Sequence, residues 1–250
     1  MAKKKKQIEA KYRLLDENTP FAVNEAYGML RTNILYMPAE NNDARVIAIT
    51  SAEEGTGKST TVSNLALSFA RSAKKVLIID ADMRCPRQHK FFNHDKTSKG
   101  LSEYLAGIST KNEVILKNIY EDLDIIPSGH LPPSPAELVL SSRFSQLIDE
   151  LKGDYDFIFI DFPPIGIVSD AAAVAKSVNG YLFVIRSNHS DINYVKESIQ
   201  KLENVDANIL GIIYNDVNYK EKSYGSSYYS SRYTTSKYAR QSENANKKSK

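Results

Sequence analysis

The sequence predicts an α/β protein built on a doubly wound, mostly parallel β-sheet of about seven strands. Short, near-continuous apolar runs recur along the chain, and such runs are typical of parallel strands covered on both faces. Helical patterns lie between successive runs, as expected for repeated β–α units. Several runs end in polar side chains, at the edge where α/β sheets bind ligands. The strands are predicted at residues 46–50, 75–80, 123–126, 157–161, 181–185 and 208–214.

Length and composition favour one sizeable α/β domain with tails. The chain has 250 residues, 42% of them hydrophobic, which is too short for two large domains. No apolar run approaches the ~20 residues that span a bilayer, and none follows the N-terminal lysines as in a signal peptide. The single cysteine, Cys85, excludes an internal disulfide, and four scattered histidines give no zinc-site spacing. We therefore expect a cytoplasmic protein.

The net charge of +3 is unevenly distributed along the chain. Residues 1–13 and 216–250 each carry +5, so residues 14–215 carry −7. A nucleic-acid surface would have to lie on the ends, and we expect no nucleic-acid partner. The run from Lys3 to Lys6 is either a membrane-attracted basic patch or a solvated arm.

Three segments are predicted: a basic arm at 1–19, a folded domain at 20–217 and a disordered tail at 218–250. The domain opens with a helix at 20–36, ended by Pro38. Its apolar face, with Leu35 at the edge, is expected to pack on the sheet or on another subunit. The other residues of that face are Ala26, Met29, Leu30 and Ile34. Residues 41–43 are predicted to form a turn into the first strand.

The stretch after the first strand predicts a phosphate-binding loop, or P-loop. Residues 52–59 match G-x-x-x-x-G-K-[ST], with Ala52 in place of the first glycine. The stretch lies between a predicted strand and a predicted helix at 61–70, which is the context that the pattern requires. Gly55 and Gly57 let the backbone wrap a phosphate, and the helix N-terminus offers free N–H groups to it.

Within this loop, Lys58 is expected to reach the β- and γ-phosphates and Ser59 to bind Mg²⁺. A turn without a ligand is one alternative. A dinucleotide-binding turn is another, but its third glycine is replaced by Thr60. Asn215, at the end of the last strand, either reaches the adenine or belongs to a turn. The predicted nucleotide-binding residues are Glu54, Gly55, Thr56, Gly57, Lys58, Ser59, Thr60 and Asn215.

Aspartates follow two of the buried strands. Asp80 and Asp82 end the second apolar run, and Asp161 ends the run at 157–160. One such aspartate would be explained equally well as a helix cap. Three of them together with a P-loop predict Mg²⁺ binding and phosphoryl chemistry. Between these strands we predict a short helix at 101–105, a proline-marked loop at 132–135 and one helix at 136–151.

The tail combines serine, lysine and asparagine with many tyrosines and almost no aliphatic side chains, so it cannot form a core. Either its aromatic rings stack on single-stranded nucleic acid, or its hydroxyls are sites of modification. The tail holds six of the fifteen tyrosines, namely Tyr219, Tyr224, Tyr228, Tyr229, Tyr233 and Tyr238.

These features together resemble the bacterial tyrosine kinases of capsule and exopolysaccharide synthesis, in their stand-alone cytoplasmic Gram-positive form. The resemblance rests on the P-loop at 52–59, the acidic motifs at 77–84 and 158–164, and the tyrosine-rich tail. It covers nearly the whole chain. In the third motif the family usually has threonine where this chain has Phe162, which affects a local contact near the metal but leaves Asp161.

The resemblance implies an ATP- and Mg²⁺-dependent tyrosine autokinase whose tail tyrosines are the phosphoacceptors. Ser59 would hold Mg²⁺ directly, and Asp161 with one of the paired aspartates would hold it through water. The other paired aspartate would orient or deprotonate the incoming tyrosine, and we favour Asp82 over Asp80. The implied metal-binding residues are Ser59, Asp80, Asp82 and Asp161, and the implied catalytic residues are Lys58, Asp80, Asp82, Arg84 and Asp161.

The resemblance also implies partners. A membrane-bound polysaccharide co-polymerase would recruit the kinase to the inner face of the plasma membrane and activate it, and a cognate tyrosine phosphatase would reverse its reaction. In the family a Glu-x-x-Arg-x-x-Arg stretch forms a cyclic oligomer. The matching positions here are Glu25, Gly28 and Arg31, so the first arginine is missing and weaker assembly is expected.

The alternative function is that of the partition and septum-site ATPases, which share the fold and the later motifs. Those proteins carry a second, signature lysine inside the P-loop. The matching position here is Glu53, and an acidic side chain cannot stabilise a transferring phosphate as a lysine does.

Overall fold

The computed structural model describes residues 13–37, 44–95 and 99–217. The described residues up to Asn215 belong to one compact unit. Most of the predicted basic arm, the predicted turn at 41–43 and the predicted tail with its six tyrosines lie outside the described residues. No helix within those three ranges is both long and apolar enough to span a bilayer.

The predicted doubly wound sheet is confirmed. Its strand order is β3-β4-β2-β5-β1-β6-β7, and every neighbouring pair is parallel except β3 with β4. The C-terminal ends of the parallel strands therefore share one edge. The strands are β1 (Arg45–Ser51), β2 (Val76–Asp80), β3 (Leu116–Tyr120), β4 (Leu123–Ile126), β5 (Phe157–Asp161), β6 (Gly180–Arg186) and β7 (Ile209–Asn215).

Helices cover both faces of the sheet. The helices of the described residues are α1 (Phe21–Leu35), α2 (Lys58–Ala70), α3 (Gln88–Phe92), α4 (Leu101–Leu105), α5 (Lys111–Val114), α6 (Pro135–Leu140), α7 (Ser142–Leu151), α8 (Asp170–Ala173) and α9 (Ile192–Glu203), with a 3₁₀ turn at Ala175–Ser177.

Alternate residues of each central strand enter two separate cores. On one face Ile47 and Ile49 of β1 pack with α2, where Phe69 is fully buried. On the other face Val46 and Ala48 pack with the helices that follow β2. Because successive side chains of a strand point to opposite faces, an uninterrupted apolar run is what a sheet covered on both sides requires.

Strand β3 was not predicted. It pairs antiparallel with β4 at the sheet margin and carries an irregular register, with Asn118 at a φ of +53°. The buried carboxylate of Asp124 ties the two strands together, because it accepts from the Asn118 N–H at 2.7 Å and from Lys117 Nζ at 2.8 Å. A polar contact between strands leaves no periodic apolar signal in the sequence.

The single helix predicted at 136–151 is wrong. The chain forms α6 and α7, separated by Ser141 in an extended conformation (φ −66°, ψ 151°). The break turns α7 so that Phe144, Leu147 and Leu151 enter the core.

Helix α1 packs on α2 through fewer residues than predicted. Ile34 is fully buried and Leu30 is half-buried, whereas Met29 is 65% exposed and Ala26 and Leu35 are also exposed. These last three side chains therefore do not pack on the sheet of their own chain, and the alternative, that they pack on another subunit, stays a prediction. Arg31 instead holds the helix, since its Nη1 donates to the Ser68 carbonyl oxygen of α2 at 2.7 Å.

Candidate active site

The P-loop connects the end of β1 to the first residue of α2. Gly55 and Gly57 have φ values of +77° and +95°, in the left-handed region that favours glycine. Gly57 is also the residue that precedes the helix, so a ligand at the loop faces the helix N-terminus. A Cβ atom at Gly57 would collide with the side-chain amide of Asn215.

Three consecutive carbonyl groups of the loop are held from the β6–β7 side. Asn215 Nδ2 donates to the Thr56 carbonyl oxygen at 2.8 Å, and Arg186 Nη1 donates to that of Gly55 at 3.0 Å. His189 Nε2 lies 3.0 Å from the Glu54 carbonyl oxygen. Asn215 therefore contacts the loop itself, and its expected contact with adenine stays a prediction.

The predicted residues of the loop differ in exposure. Lys58 is only 7% exposed and Thr56 is buried, whereas Ser59 and Thr60 are half-buried and Glu54 is exposed. A buried ammonium group needs a nearby negative charge, and the carboxylates beside Lys58 supply it. This arrangement is expected of a lysine that binds phosphate.

The carboxylates of the two acidic motifs meet beside this loop. Strands β2 and β5 are neighbours in a register that places Asp80 opposite Asp161, and both side chains are buried together with Asp82. Burial, followed by the neighbouring Asp161 and Asp82 carboxylates, holds the pKa of Asp80 well above its usual range.

The pKa values of the other two aspartates are also raised. Burial raises the pKa of Asp161 to about 6, while the Lys58 ammonium and a hydrogen bond from Ser59 oppose the shift. Burial likewise raises the pKa of Asp82, against the Cys85 N–H, which donates to its Oδ1 at 2.9 Å. The structure thus brings Lys58, Ser59 and all three aspartates into one electrostatically coupled group.

The donor set fits a hard divalent cation. Within the described residues, Oδ1 of Asp80 and Oδ1 of Asp161 are buried without a hydrogen-bond partner, as is Thr56 Oγ1. Such atoms are rare in native proteins and are typical of places where an ion or an ordered water binds. In the part of the chain that the structure describes, no three His, Cys, Asp or Glu side chains are grouped so that they alone could hold a metal ion. Mg²⁺ matches this pattern because it usually keeps several waters and binds substrate phosphates.

Arg84 lies to one side of this group. Its Nε is 3.4 Å from Oδ2 of Asp170, a buried carboxylate at the start of α8. Both residues line an open cleft of about 380 Å³, together with Ala136, Ile165, Ile167, Val168, Ser169 and Lys201. Arg84 therefore has no direct contact with the three aspartates in the described hydrogen-bond network, and its catalytic role stays a prediction.

Phe162, where the resembled family usually has threonine, is fully buried. Its ring centroid is 6.3 Å from that of Phe144, so the side chain belongs to the core below the site. Asp161, one residue earlier, is the last residue of β5 and pairs with Asp80 of β2.

Sequence reasoning missed four polar residues around the site. Arg186 ends an apolar strand, so the rule that identified Asp80 and Asp161 would also have found it. Gln88, His189 and Asp170 follow loops or short helices, and nothing in their local pattern distinguishes them.

Comparisons with known proteins identify the family of this chain. A family profile described as an AAA domain matches residues 44–216. The tyrosine-protein kinase CpsD of Streptococcus agalactiae serotype III (strain NEM316) is 39% identical over 194 residues, which are 78% of this chain and 82% of that protein. The chain belongs to the bacterial tyrosine kinases. The kinase also resembles the kinase domain of the Escherichia coli tyrosine kinase ETK, with a TM-score of 0.74 and 37% identity over 82% of this chain and 83% of that chain.

The alternative class is more distant from this kinase. The septum site-determining protein MinD of Pyrococcus horikoshii OT3, solved with Mg-ADP, has a TM-score of 0.59 and 27% identity over 68% of this chain and 70% of that chain. The acidic side chain of Glu53 is half-buried within the P-loop of the kinase.

Proposed function

We propose that the kinase transfers the γ-phosphoryl group of ATP, with Mg²⁺, to tyrosines in the tail of another copy of itself, and that this reaction regulates capsule or exopolysaccharide synthesis. The observation that carries the proposal is the buried aspartate group with unpartnered oxygens beside Lys58 and Ser59. Phosphoryl transfer needs mainly positioning and charge neutralisation, which this group and the P-loop would supply.

Each residue of the group has a proposed role. Ser59 would bind the cation directly, while Asp161 and Asp80 would hold its waters; the cation, when bound, neutralises charge on the phosphates. Lys58 would bind the phosphoryl oxygens. Asp82 is the proposed base because Asp80 and Asp161 are assigned to the cation, and burial raises the pKa of the remaining Asp82 carboxyl toward that of a proton acceptor.

The cleft at Arg84 is the proposed entrance for the acceptor. It lies at the same sheet edge as the aspartates and has an apolar wall that includes Ile165 and Val168. The aromatic ring of an acceptor tyrosine would pack on this apolar wall. The Arg84 guanidinium would stabilise negative charge near the reacting tyrosine oxygen.

Transfer between copies is tested by mixing two proteins. A Lys58→Met kinase keeps its tail tyrosines but lacks the phosphate-binding lysine, and an active kinase truncated after Val217 lacks the tail. With Mg-ATP, an anti-phosphotyrosine blot should show label on the Lys58→Met chain. Label that appears only when the active domain and the tail share a chain would contradict transfer between copies. An ATPase without kinase activity would give no label in any mixture.

A cyclic oligomer is proposed to present each tail to the next subunit. Glu25 and Arg31 remain from the motif, but Arg31 also donates to Ser68 within its own chain. A Cβ atom at Gly28 would meet no heavy atom within 4 Å, so Gly28→Arg would be accommodated. Light scattering should show a larger mass for Gly28→Arg than for the natural sequence at equal concentration, and Gly28→Ala controls for the gain in helix propensity.

Tail phosphorylation is proposed to dissociate this oligomer. Each phosphate adds about −1.5 to −2 charges to the tail, so phosphorylated tails would repel one another and the acidic domain. The cognate phosphatase would restore assembly. Equal masses for phosphorylated and unphosphorylated protein would count against this form of regulation.

Activation by the cytoplasmic part of a membrane-bound co-polymerase is also proposed, with recruitment to the inner face of the plasma membrane. Glu53 and Glu54 beside the phosphate site and the charge of −7 on residues 14–215 disfavour ATP, so a partner that adds cationic or apolar contacts at the adenine would raise affinity. The partner's soluble cytoplasmic peptide should increase both ATP affinity and autophosphorylation in solution. A partner that only localises the kinase would change neither quantity.

A further inference from the structure

Gln88, the first residue of α3, is fully buried and lies between the P-loop helix and the two strands that carry Asp80 and Asp161. Its backbone N–H donates to Asp80 Oδ2 at 3.2 Å, and its side-chain Nε2 donates to Asp161 Oδ2 at 2.8 Å. One residue therefore bonds to both carboxylates, and to the same oxygen of each.

The oxygens that Gln88 does not contact are the unpartnered ones. Among the described residues, Oδ1 of Asp80 and Oδ1 of Asp161 are buried and accept no hydrogen bond. A carboxylate has two oxygens, so a donor on one of them fixes the direction of the other. Gln88 contributes to this arrangement together with the Arg87 N–H, which also bonds to Asp80, and the Ser59 hydroxyl, which also bonds to Asp161.

The side chain of Gln88 is itself held in one orientation. Its Nε2 must face Asp161 because an ionised carboxylate only accepts hydrogen bonds. Its Oε1 lies 2.7 Å from the Ser63 hydroxyl, which donates to it from the next turn of α2. The Ser63 hydroxyl is also 2.7 Å from the carbonyl oxygen of Ser59, the proposed cation-binding residue. The contacts link the P-loop helix to both aspartates.

We infer that Gln88 is a positioning residue for the cation: it orients Asp80 and Asp161 so that one oxygen of each is left for the shell of a bound Mg²⁺. The inference rests on the proposed use of Mg²⁺ with nucleotide. Removing a group that hydrogen-bonds to a metal ligand and orients it typically lowers metal affinity by about 10–100-fold.

The test compares ADP affinity with excess Mg²⁺ and with EDTA, measured by calorimetry on the full chain. Gln88→Met keeps a similar length but donates nothing to Asp161. We expect the factor by which Mg²⁺ tightens ADP binding to fall about tenfold or more in this variant, while affinity in EDTA changes by less than about twofold. Ser63→Ala removes the support of Gln88 and the contact with the Ser59 carbonyl oxygen, but keeps the hydrogen bond from Gln88 to Asp161, and it should lower the same factor by less.

Kinetics provide a second measurement. Raising the Mg²⁺ concentration should restore much of the lost kcat in Gln88→Met, whereas damage to the fold alone would not be repaired by Mg²⁺. Leu202→Ala is the matched control. Leu202 of α9 is fully buried in the core on the sheet face opposite to α2, so its truncation destabilises the fold without touching the site. Its Mg²⁺ factor should equal that of the natural sequence.

The outcomes are separable. If the natural sequence shows no tightening by Mg²⁺, the proposed function itself fails. If it tightens normally and Gln88→Met tightens equally, the positioning role is wrong and the proposed function stands. If Gln88→Met does not fold, Ser63→Ala decides, and an unchanged factor in that variant overturns the inference.

Discussion

The two walls of the active-site crevice are built on opposite principles. On the P-loop wall, three successive carbonyl groups are contacted by Asn215, Arg186 and His189, so the shape of the loop is held by protein atoms. On the carboxylate wall, Asp80 and Asp161 are buried close together and each retains an oxygen without a partner. The three carbonyl groups of the first wall are paired within the protein, whereas among the described residues each of the two aspartates of the second wall keeps one buried oxygen without a partner.

This difference shows where the protein is optimised for folding and where it is not. A loop whose carbonyl groups are hydrogen-bonded lowers the stability of the fold little. Buried carboxylates with raised pKa values destabilise the fold unless a cation is bound beside them. Mutations on the two walls should therefore affect activity in the same direction and stability in opposite directions.

The largest expected effect is on activity. Lys58→Met and Asp161→Asn should each lower autophosphorylation by about 1,000-fold or more, because the first removes the cation proposed to bind the phosphoryl oxygens and the second removes a carboxylate proposed to hold Mg²⁺. In the absence of Mg²⁺, Asp161→Asn should nevertheless raise the melting temperature, and Lys58→Met should lower it by removing the cation that stabilises Asp161. Phosphotyrosine blots and thermal unfolding in EDTA measure the two effects. Equal and parallel stability changes would erase the contrast between the walls.

The next effect is the pH dependence of stability without Mg²⁺. The pKa of Asp161 is raised in the folded state from 3.8 to about 6, so between these values the folded protein holds a proton that the unfolded chain releases. Stability contributed by this group should thus be lost as pH rises from about 4 to about 6, by an amount on the order of 3 kcal/mol. Urea unfolding at several pH values in EDTA tests this, with Asp161→Asn as the control that should show a shallower slope. A slope that is the same in both proteins would assign the pH dependence to other groups.

A smaller effect is expected from closing the P-loop wall. Gly57→Ala places a side chain at a φ of +95° and against the Asn215 amide, so nucleotide affinity should fall about tenfold or more. Adding Asn215→Ala should recover the part caused by the collision but not the part caused by the backbone conformation. Fluorescent-nucleotide titration of both variants separates them, and no recovery in the double variant would mean that the collision is relieved by another movement.

The smallest effect is expected from Asn215→Ala alone. It removes one hydrogen bond to the loop, worth about 1 kcal/mol, so nucleotide affinity should fall about fivefold. Unfolding in EDTA should show the natural slope with pH, because the carboxylate wall is untouched. A larger loss would favour the predicted contact between Asn215 and adenine in addition to its contact with Thr56.

The parts of this structure that the sequence predicts are those that leave a local pattern. The apolar strands, the P-loop and Asp80, Asp82 and Asp161 at strand ends were all found, because burial on two faces dictates the composition of a strand. Strand β3 was missed since its pairing depends on a polar contact to Asp124.

The break at Ser141 was missed for a related reason: it involves neither proline nor glycine, so helical propensity continues across it. Gln88 lies beyond local reasoning as well. Its role depends on two strands and a helix that are far apart in sequence, and no spacing rule connects them.

The strand order has a consequence for synthesis of the chain on the ribosome. Strand β5, near residue 160, lies between β1 and β2, which are translated more than 70 residues earlier. Strands β1 and β2 therefore do not pair with each other in the native sheet. Their native pairing requires β5, which is translated later. A nascent chain released before residue 157 has its P-loop sequence but neither Asp161 nor the strand that holds Asp80 beside it. With the roles proposed for Asp80 and Asp161, phosphoryl transfer would begin only after most of the domain has been made.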